Sequence, residues 1–375
     1  AKERAFELQD SFQKCLPFYK KRGSVVFLSY CRYWEQHGFV QQSLARLLTE
    51  NGVKVIWLDG SGWRPYRPVR SWDSKLLRIS QLFEFPGRRL FFMDRISEGF
   101  QKGTLRKIVR ELGSPVIWVQ AGMNERIVEA LPYIDIFSTF DDPYRHGPTD
   151  VLCEKAKTIV CQNSFTFRIM SSLHAEKTIH LLPPVDLPGG TPNVKSVELP
   201  AGFPKKVMGY IGSFFSYDYD LRLLENFVRS FPDWGFVLMG RTDPEGERGL
   251  ARLRQYPNFI SYPWVPRDQV WSAWRALDVS LLLYRPCRSQ DGAFPVKILE
   301  SFFCGIPCVC TAVPKTLDLD GMVPRSPFPE HLKKLAEQAS QWNPLSVANR
   351  YHHFAYLMSP KYHLAKIAEQ LQRHG

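Results

Sequence analysis

In the stretch FPVKILESFFCGIPCVCT, residues 294–311, a single acid, Glu300, stands among Val296, Leu299, Phe302 and Phe303, with Lys297 three residues before it. Pro295 suits a first helical position and Gly305 the residue just past a helix end, so Pro295 to Cys304 reads as a short helix, and Pro307 blocks its continuation. Helical spacing then sets Lys297, Glu300, Ser301 and Cys304 along one stripe. Two kinds of chemistry fit it. A solvated i, i+3 ion pair contributes only ~0.2–0.5 kcal/mol. The alternative is a binding site, in which the N–H groups and positive end of the helix, together with the charge of Lys297, receive a diphosphate.

The elements around this stripe favour the second kind. After the helix, Cys308 to Thr311 form a buried strand, and before it DVSLLLY (278–284) forms another. Further back stand KVMGYIG (206–212), a helix near 219–230, GFVLMG (235–240), NFISYP (258–263) and a helix over 267–277. Open parallel sheets bind ligands at the carboxyl ends of their strands, which directs attention to three loops. Gly212 and Ser213 follow the first strand, where glycine lets backbone amides approach a phosphate or merely makes a turn. Gly240 and Arg241 follow the second strand, and Arg285, Cys287, Arg288 and Asp291 precede the helix.

The first half of the chain shows the same alternation. SVVFLS (24–29), a helix from about 39 to 50, KVIWL (54–58), RRLFFMD (88–94), a helix near 98–112, PVIWVQ (115–120), a helix near 124–131, IDIFSTF (134–140) and TIVCQN (158–163) read as parallel strands buried on both faces and the helices between them. Pro and Gly accumulate from Pro183 to Pro204, which marks a linker. The tail from His331 is helical, with breaks at Pro344 and Pro360. The expected domains are residues 1–190 and 200–355, with a last helix over about 356–375 packing back on the first.

A chain of 375 residues with 44% apolar and 23% charged content matches two soluble domains, and no apolar run approaches the ~20 residues that span a bilayer. The start AKERAFELQD lacks the apolar core of a signal peptide, and the expected location is the cytoplasm. Eight cysteines without a CxxC pair are expected to be reduced and buried. No metal site is expected; the adjacent His352 and His353 point in different directions on a helix and make a poor ligand pair. Of the net charge of +12, residues 60–110 hold +8, with 12 Lys or Arg against 4 Asp or Glu. Such a stretch is either a solvated surface or a contact for an anionic membrane, a phosphorylated acceptor or nucleic acid, and the last lacks any accompanying motif.

GYIG, FVLMG, DVSLLLY and PVKILESFFCGIPCV, in this order over roughly residues 206–311, resemble the nucleotide-sugar half of GT-B glycosyltransferases, particularly the family-4 group of glycosyl transferases group 1. The resemblance implies an α/β fold of two Rossmann-like, doubly wound parallel-sheet domains facing a central cleft. It implies a retaining, metal-independent transfer, without cofactor, from a UDP- or GDP-linked sugar to a hydroxyl of a saccharide or lipid-linked acceptor. The setting would be bacterial surface polysaccharide or glycolipid synthesis. The basic 60–110 stretch would meet the inner face of the membrane, and nucleic acid is not an expected partner.

Carried over to this sequence, Glu300 accepts hydrogen bonds from the ribose hydroxyls, two donors meeting two acceptor oxygens. The earlier glutamate of the family pattern falls on Gly292, with Asp291 beside it as a substitute or backbone groups in its place. The usual Arg and Lys after the first glycine loop are missing from GSFFSYDYD, leaving Arg241, Arg285 and Lys297 to balance diphosphate charge beside Gly212 and Ser213. In the first domain STFDDPYRH, with Asp141, resembles an aspartate-containing loop that faces the cleft in some relatives, and Asp-Asp-Pro is also an ordinary turn and helix-start signal, while His37 beside Gly38 is a candidate for acceptor or sugar hydroxyls. The Gly292 departure keeps open a non-catalytic sugar-nucleotide-binding or assembly subunit of the same fold. A GT-B epimerase or phosphorylase is a further alternative, though no pyridoxal-type lysine motif is evident.

Overall fold

The computed structural model describes residues 2–29, 40–62, 77–83, 91–123, 125–139, 149–185, 197–263, 269–287 and 291–373. The chain divides into two compact units, residues 1–186 with 356–375 and residues 187–355. Both are doubly wound parallel sheets with flanking helices, the fold class that the sequence predicts.

The first unit opens with α1 (Lys2–Lys21), followed by β1 (Ser24–Leu28), α2 (Val40–Glu50), β2 (Lys54–Gly62), β3 (Leu77–Phe83), α3 (Phe91–Leu112), β4 (Val116–Gln120), α4 (Glu125–Val128), β5 (Ile134–Thr139), α5 (Asp150–Lys155), β6 (Ala156–Cys161), α6 (Ser164–His174) and β7 (Thr178–His180). The strands run in the order β3-β2-β1-β4-β5-β6-β7, which reverses direction between β1 and β4. Every residue of β1, β4 and β5 is buried. On one face Phe27 stacks between Trp57 and Trp118, with ring centroids 5.3 and 5.0 Å away. This face is covered by Phe12, Leu16 and Tyr19 of α1 and by Leu364, Ile367 and Leu371 of the last helix. Tyr19 donates its hydroxyl to the carbonyl of Leu364 at 2.9 Å.

The described part of the run RRLFFMD, Phe91 to Asp94, does not form the expected strand. Its residues Phe91 to Asp94 are the first turn of α3, and the strand beside β2 comes earlier, as β3. Periodicity alone does not separate a short apolar run in a strand from one in a helix, and here the run continues directly into the helical pattern downstream.

The second unit comprises β8 (Lys206–Ile211), α7 (Leu221–Ser230), β9 (Trp234–Met239), α8 (Pro244–Leu253), β10 (Phe259–Tyr262), α9 (Val270–Trp274), β11 (Val279–Leu282), α10 (Lys297–Phe303), β12 (Cys308–Thr311), β13 (Arg325–Ser326), α11 (Pro329–Ala339) and α12 (Pro344–Leu357), while α13 (Pro360–Arg373) closes the chain. Its strand order is β10-β9-β8-β11-β12-β13, reversing between β8 and β11. Helix α8, absent from the sequence reading, starts on a strong local signal: Asp243 caps it, accepting from Gly246 N at 2.8 Å, and Pro244 follows. The described cysteines are free thiols, Cys287 and Cys304 half-buried and the rest buried. Among the described residues no helix is long and apolar enough to cross a membrane.

Candidate functional site

The carboxyl ends of β8, β9 and β11 lie side by side at the point where the second sheet reverses direction, the usual ligand position in an open parallel sheet. Beyond the paired residues Ile211 and Met239, Gly212 N donates to Met239 O at 2.9 Å and Phe214 N to Arg241 O at 2.9 Å. Gly212 and Gly240 both have φ of +149°. A Cβ on Gly240 would stand 1.9 Å from the carbonyl oxygen of Gly212, and one on Gly212 would meet the hydroxyl of Tyr210 at 2.8 Å. Two backbones cross here at a distance that only glycine permits. Ser213, next in the chain, is exposed.

The loop that follows is tied down from two directions. Asp243 accepts from Ser216 N at 3.1 Å and from the Ser216 hydroxyl. Burial works against the charge of Asp243, but these bonds and the one from Gly246 prevail, holding its carboxyl below the ordinary carboxylate range. At the other end Asp220 N donates to Leu283 O at 2.7 Å and Arg285 N to Asp218 O at 2.9 Å, around the bridge between Tyr219 and Tyr284. Lys315, just past β12, donates to Asp218 Oδ2 at 2.7 Å and lies 4.1 Å from the ring centroid of Tyr284. The other oxygen, Asp218 Oδ1, is buried and has no hydrogen-bond partner among the described residues.

Helix α10 carries the stripe of the sequence analysis. It starts at Lys297, two residues later than expected, and ends before Gly305 as predicted. The ion pair between Lys297 and Glu300 exists, at 2.9 Å, but it is not a solvated one: the two side chains are only 30% and 19% exposed. Lys297 Nζ donates to both oxygens of Glu300, and the indole of the fully buried Trp274 donates to Oε2 at 3.2 Å. A carboxylate has about four acceptor positions, and these three bonds leave room for a further donor. Burial pushes the phenol of Tyr210 up, and the charges of Asp218 and Glu300 add to that shift.

The other candidates fall as follows. Arg285 pairs with Asp220 Oδ1 at 3.6 Å, and Asp220 in turn caps α7. Arg241 is exposed, and its carbonyl holds Phe214. Asp291 closes a turn, its Oδ1 accepting from Cys287 N at 3.2 Å and its N–H donating to Cys287 O at 2.9 Å. His37, Asp141 and their neighbours, and Arg64, Arg67, Arg70, Arg88 and Arg89, lie outside the described residues. Among the described residues no group of three or more His, Cys, Asp or Glu could hold a metal ion. Sequence reasoning missed Lys315, Asp218, Asp243 and Trp274; only Asp243 had a readable signal, the Asp-Pro pair that begins α8.

Crossed glycine backbones, a half-buried carboxylate with spare acceptor capacity and the cations nearby suit a phosphate and a vicinal diol. Residues 205–339 match the family described as glycosyl transferases group 1. Over 110 residues the chain is 26% identical to TuaH of Bacillus subtilis (strain 168), a protein assigned to teichuronic acid biosynthesis as a glycosyltransferase; the match spans 29% of this chain and 28% of that relative. Three solved structures share the fold over nearly the whole chain. The apo lipopolysaccharide outer core galactosyltransferase WaaB has a TM-score of 0.63 at 14% identity, covering 92% of this chain and 99% of that one. The α,α-trehalose 6-phosphate synthase of Burkholderia multivorans has a TM-score of 0.65 at 11% identity, covering 94% and 98%. A trehalose-6-phosphate protein from E. coli bound with UDP-2-fluoro glucose has a TM-score of 0.64 at 10% identity, covering 93% and 99%. Residues 205–339 thus resemble a group 1 glycosyl transferase domain, in a chain of GT-B fold.

Proposed function

We propose that the protein transfers a sugar from a nucleoside diphosphate to a hydroxyl acceptor, with the donor held by the second unit and the acceptor met by the first. The observation that carries this reading is Glu300, a half-buried carboxylate held by Lys297 and Trp274 on the helix that follows β11, the strand beside β8 and its Gly212 loop. Its remaining acceptor capacity suits the ribose hydroxyls, and the crossing of Gly212 and Gly240 suits the diphosphate. Arg241, Arg285 and Lys297 would balance its charge, the last two by exchanging the carboxylates that now pair with them for phosphate oxygens.

No metal or cofactor is invoked. In the retaining course, the bond from the anomeric carbon to the diphosphate breaks while the acceptor oxygen approaches the same face. The departing phosphate oxygen takes the acceptor proton, so stabilising the diphosphate matters more than a strong base. UDP-2-fluoro glucose in one structural neighbour favours a UDP-linked donor, and TuaH favours a bacterial surface polysaccharide as the product. The basic 60–110 stretch would bring the enzyme to an anionic membrane surface, which sedimentation with acidic and neutral vesicles tests: equal binding to both rejects it.

One observation favours a second reading, a sugar-nucleotide-binding or assembly subunit: Gly292 stands where the resemblance calls for an acid, and Asp291 is engaged in its own turn. Release of UDP or GDP from a panel of sugar nucleotides, with and without saccharide acceptors, separates the two. Acceptor-dependent release supports transfer, whereas nucleotide binding without release under any pairing supports the second.

A further inference from the structure

Helix α3 presents an outer face that neither the core of the first unit nor the donor site uses. Leu105 and Val109 pack inward into that core, and Ser97 and Gln101 are buried on the same side of the helix. Arg126 meets Glu98 at 3.5 Å and Lys102 meets Glu129 at 4.0 Å, which ties the helix to α4 and the turn after it. Helical spacing then sends Ile96, Gly99, Phe100 and Gly103 to the opposite side, with Arg106, Lys107 and Arg110 in the turns that follow. All seven are exposed.

This face is both apolar and cationic. Ile96 and Phe100 are 42% and 59% exposed, and they stand beside an open groove of about 500 Å³ lined also by Gly99, Gly103, Thr104 and Lys107. A Cβ on either glycine would meet nothing within 4 Å, so the groove opens outward and no close packing calls for glycine there. Glycine weakens a helix interior relative to alanine, and here it deepens the surface between the apolar side chains and the cations. The exposed ionisable groups of the helix are Arg95, Arg106, Lys107 and Arg110 against Glu111. Glu111 meets Lys107 at 3.9 Å, an exposed pair that offsets little of this charge.

We propose that this face of α3 docks on an anionic lipid surface, with Ile96 and Phe100 entering the boundary between headgroups and acyl chains and the four cations lying against headgroup charge. The inference rests on the membrane contact proposed above and gives it a face and an apolar component. Charge complementarity selects the occupant. A second copy docking through the same face would bring these cations against their own kind, which opposes association. An uncharged apolar partner would leave them uncompensated. A stable protein interface draws on ~20–30 residues a side, whereas binding to lipid adds a few inserted side chains to the attraction of anionic headgroups. Docking of this kind is peripheral, since among the described residues no helix is long and apolar enough to cross a membrane.

The test sediments the full chain with phosphatidylcholine vesicles, with and without phosphatidylglycerol, at low and at high salt. It compares wild type with two double variants, Ile96→Ser with Phe100→Ser and Arg106→Gln with Arg110→Gln, at a temperature where all three are folded. Wild type is expected to prefer the acidic vesicles. The serine variant is expected to bind them ~10–100-fold more weakly at either salt, because apolar insertion is not screened. The glutamine variant is expected to lose ~10–30-fold at low salt and far less at high salt. All four positions are exposed, so the three proteins should melt alike. A preference for acidic vesicles that the serine variant retains in full refutes this inference and leaves the charge-driven contact standing. Equal binding to both kinds of vesicle, or binding to neither, refutes both. Sedimentation velocity without lipid covers the other occupant: a wild-type dimer that the serine variant abolishes assigns the face to a second copy and overturns the inference. UDP and GDP melting shifts on the same samples report the donor site separately, so the transferase reading stands or falls without regard to these outcomes.

Discussion

Replacing Lys315 by Met removes one charge from an ion pair whose side chains are only 9% and 13% exposed. Asp218 Oδ1 is already without a partner among the described residues, and Oδ2 would lose the 2.7 Å bond from Lys315. The carboxylate would then be buried and uncompensated, a condition that costs about 3–5 kcal/mol. Loss of the contact with Tyr284, at 4.1 Å, acts in the same direction. With a urea dependence of ~1–3 kcal/mol/M, the unfolding midpoint of the second unit falls by ~1–2 M or more. Asp218→Asn in the Lys315→Met background takes away the stranded charge and restores most of the loss, so the two substitutions couple by more than about 1 kcal/mol in a double-mutant cycle. The pair spans 97 residues of sequence and joins the loop after β8 to the segment after β12, so the same variant also weakens UDP or GDP binding. An unfolding free energy within about 1 kcal/mol of wild type, together with additive effects in the cycle, refutes the reasoning, because the pair would then behave as an exposed one.

Gly240→Ala places a Cβ against the Gly212 carbonyl and is expected to destabilise the second unit by about 1–3 kcal/mol and to abolish nucleotide response, whereas melting and nucleotide shifts like those of wild type would show that the crossing is not tight. His363 titrates at about 3, chiefly because burial disfavours its charged form, against bonds to the Leu182 and Leu357 backbone that raise it. Its folded value lies below the unfolded value of 6.5, so the unfolded chain takes up the proton first: the contribution of His363 to stability is complete above pH 6.5 and declines as pH falls toward 3, by up to about 1.4 kcal/mol per pH unit. His363→Gln should flatten the loss of stability between pH 6.5 and 4 in denaturant titrations, and an unchanged slope contradicts the assignment.

The strands were legible because parallel strands buried on both faces read as unbroken apolar runs, VVFL, VIWV and VLM among them. The same property misled at RRLFFMD, where an apolar run belongs to the start of a helix. At the site, the glycines and the spacing of Lys297 and Glu300 were visible, since both are local. The half-burial of that pair was not, because it depends on Trp274, 26 residues earlier in the chain. Lys315 and Asp218 were invisible for the same reason: each is an ordinary charged residue in sequence, and only the topology of β8, β11 and β12 sets them together.

The central claim is that Glu300 anchors the ribose of a nucleoside diphosphate. Calorimetric titration of UDP and GDP into the wild type and into Glu300→Gln, which keeps an acceptor for Trp274 while removing the charge, tests it most directly. Charge-assisted bonds contribute ~1.5–3 kcal/mol each, so the account predicts binding of at least one nucleotide by the wild type and ~10–100-fold weaker binding by the variant at a temperature where both are fully folded. Equal affinity in the two proteins, or no heat of binding with either nucleotide in the wild type, would contradict it.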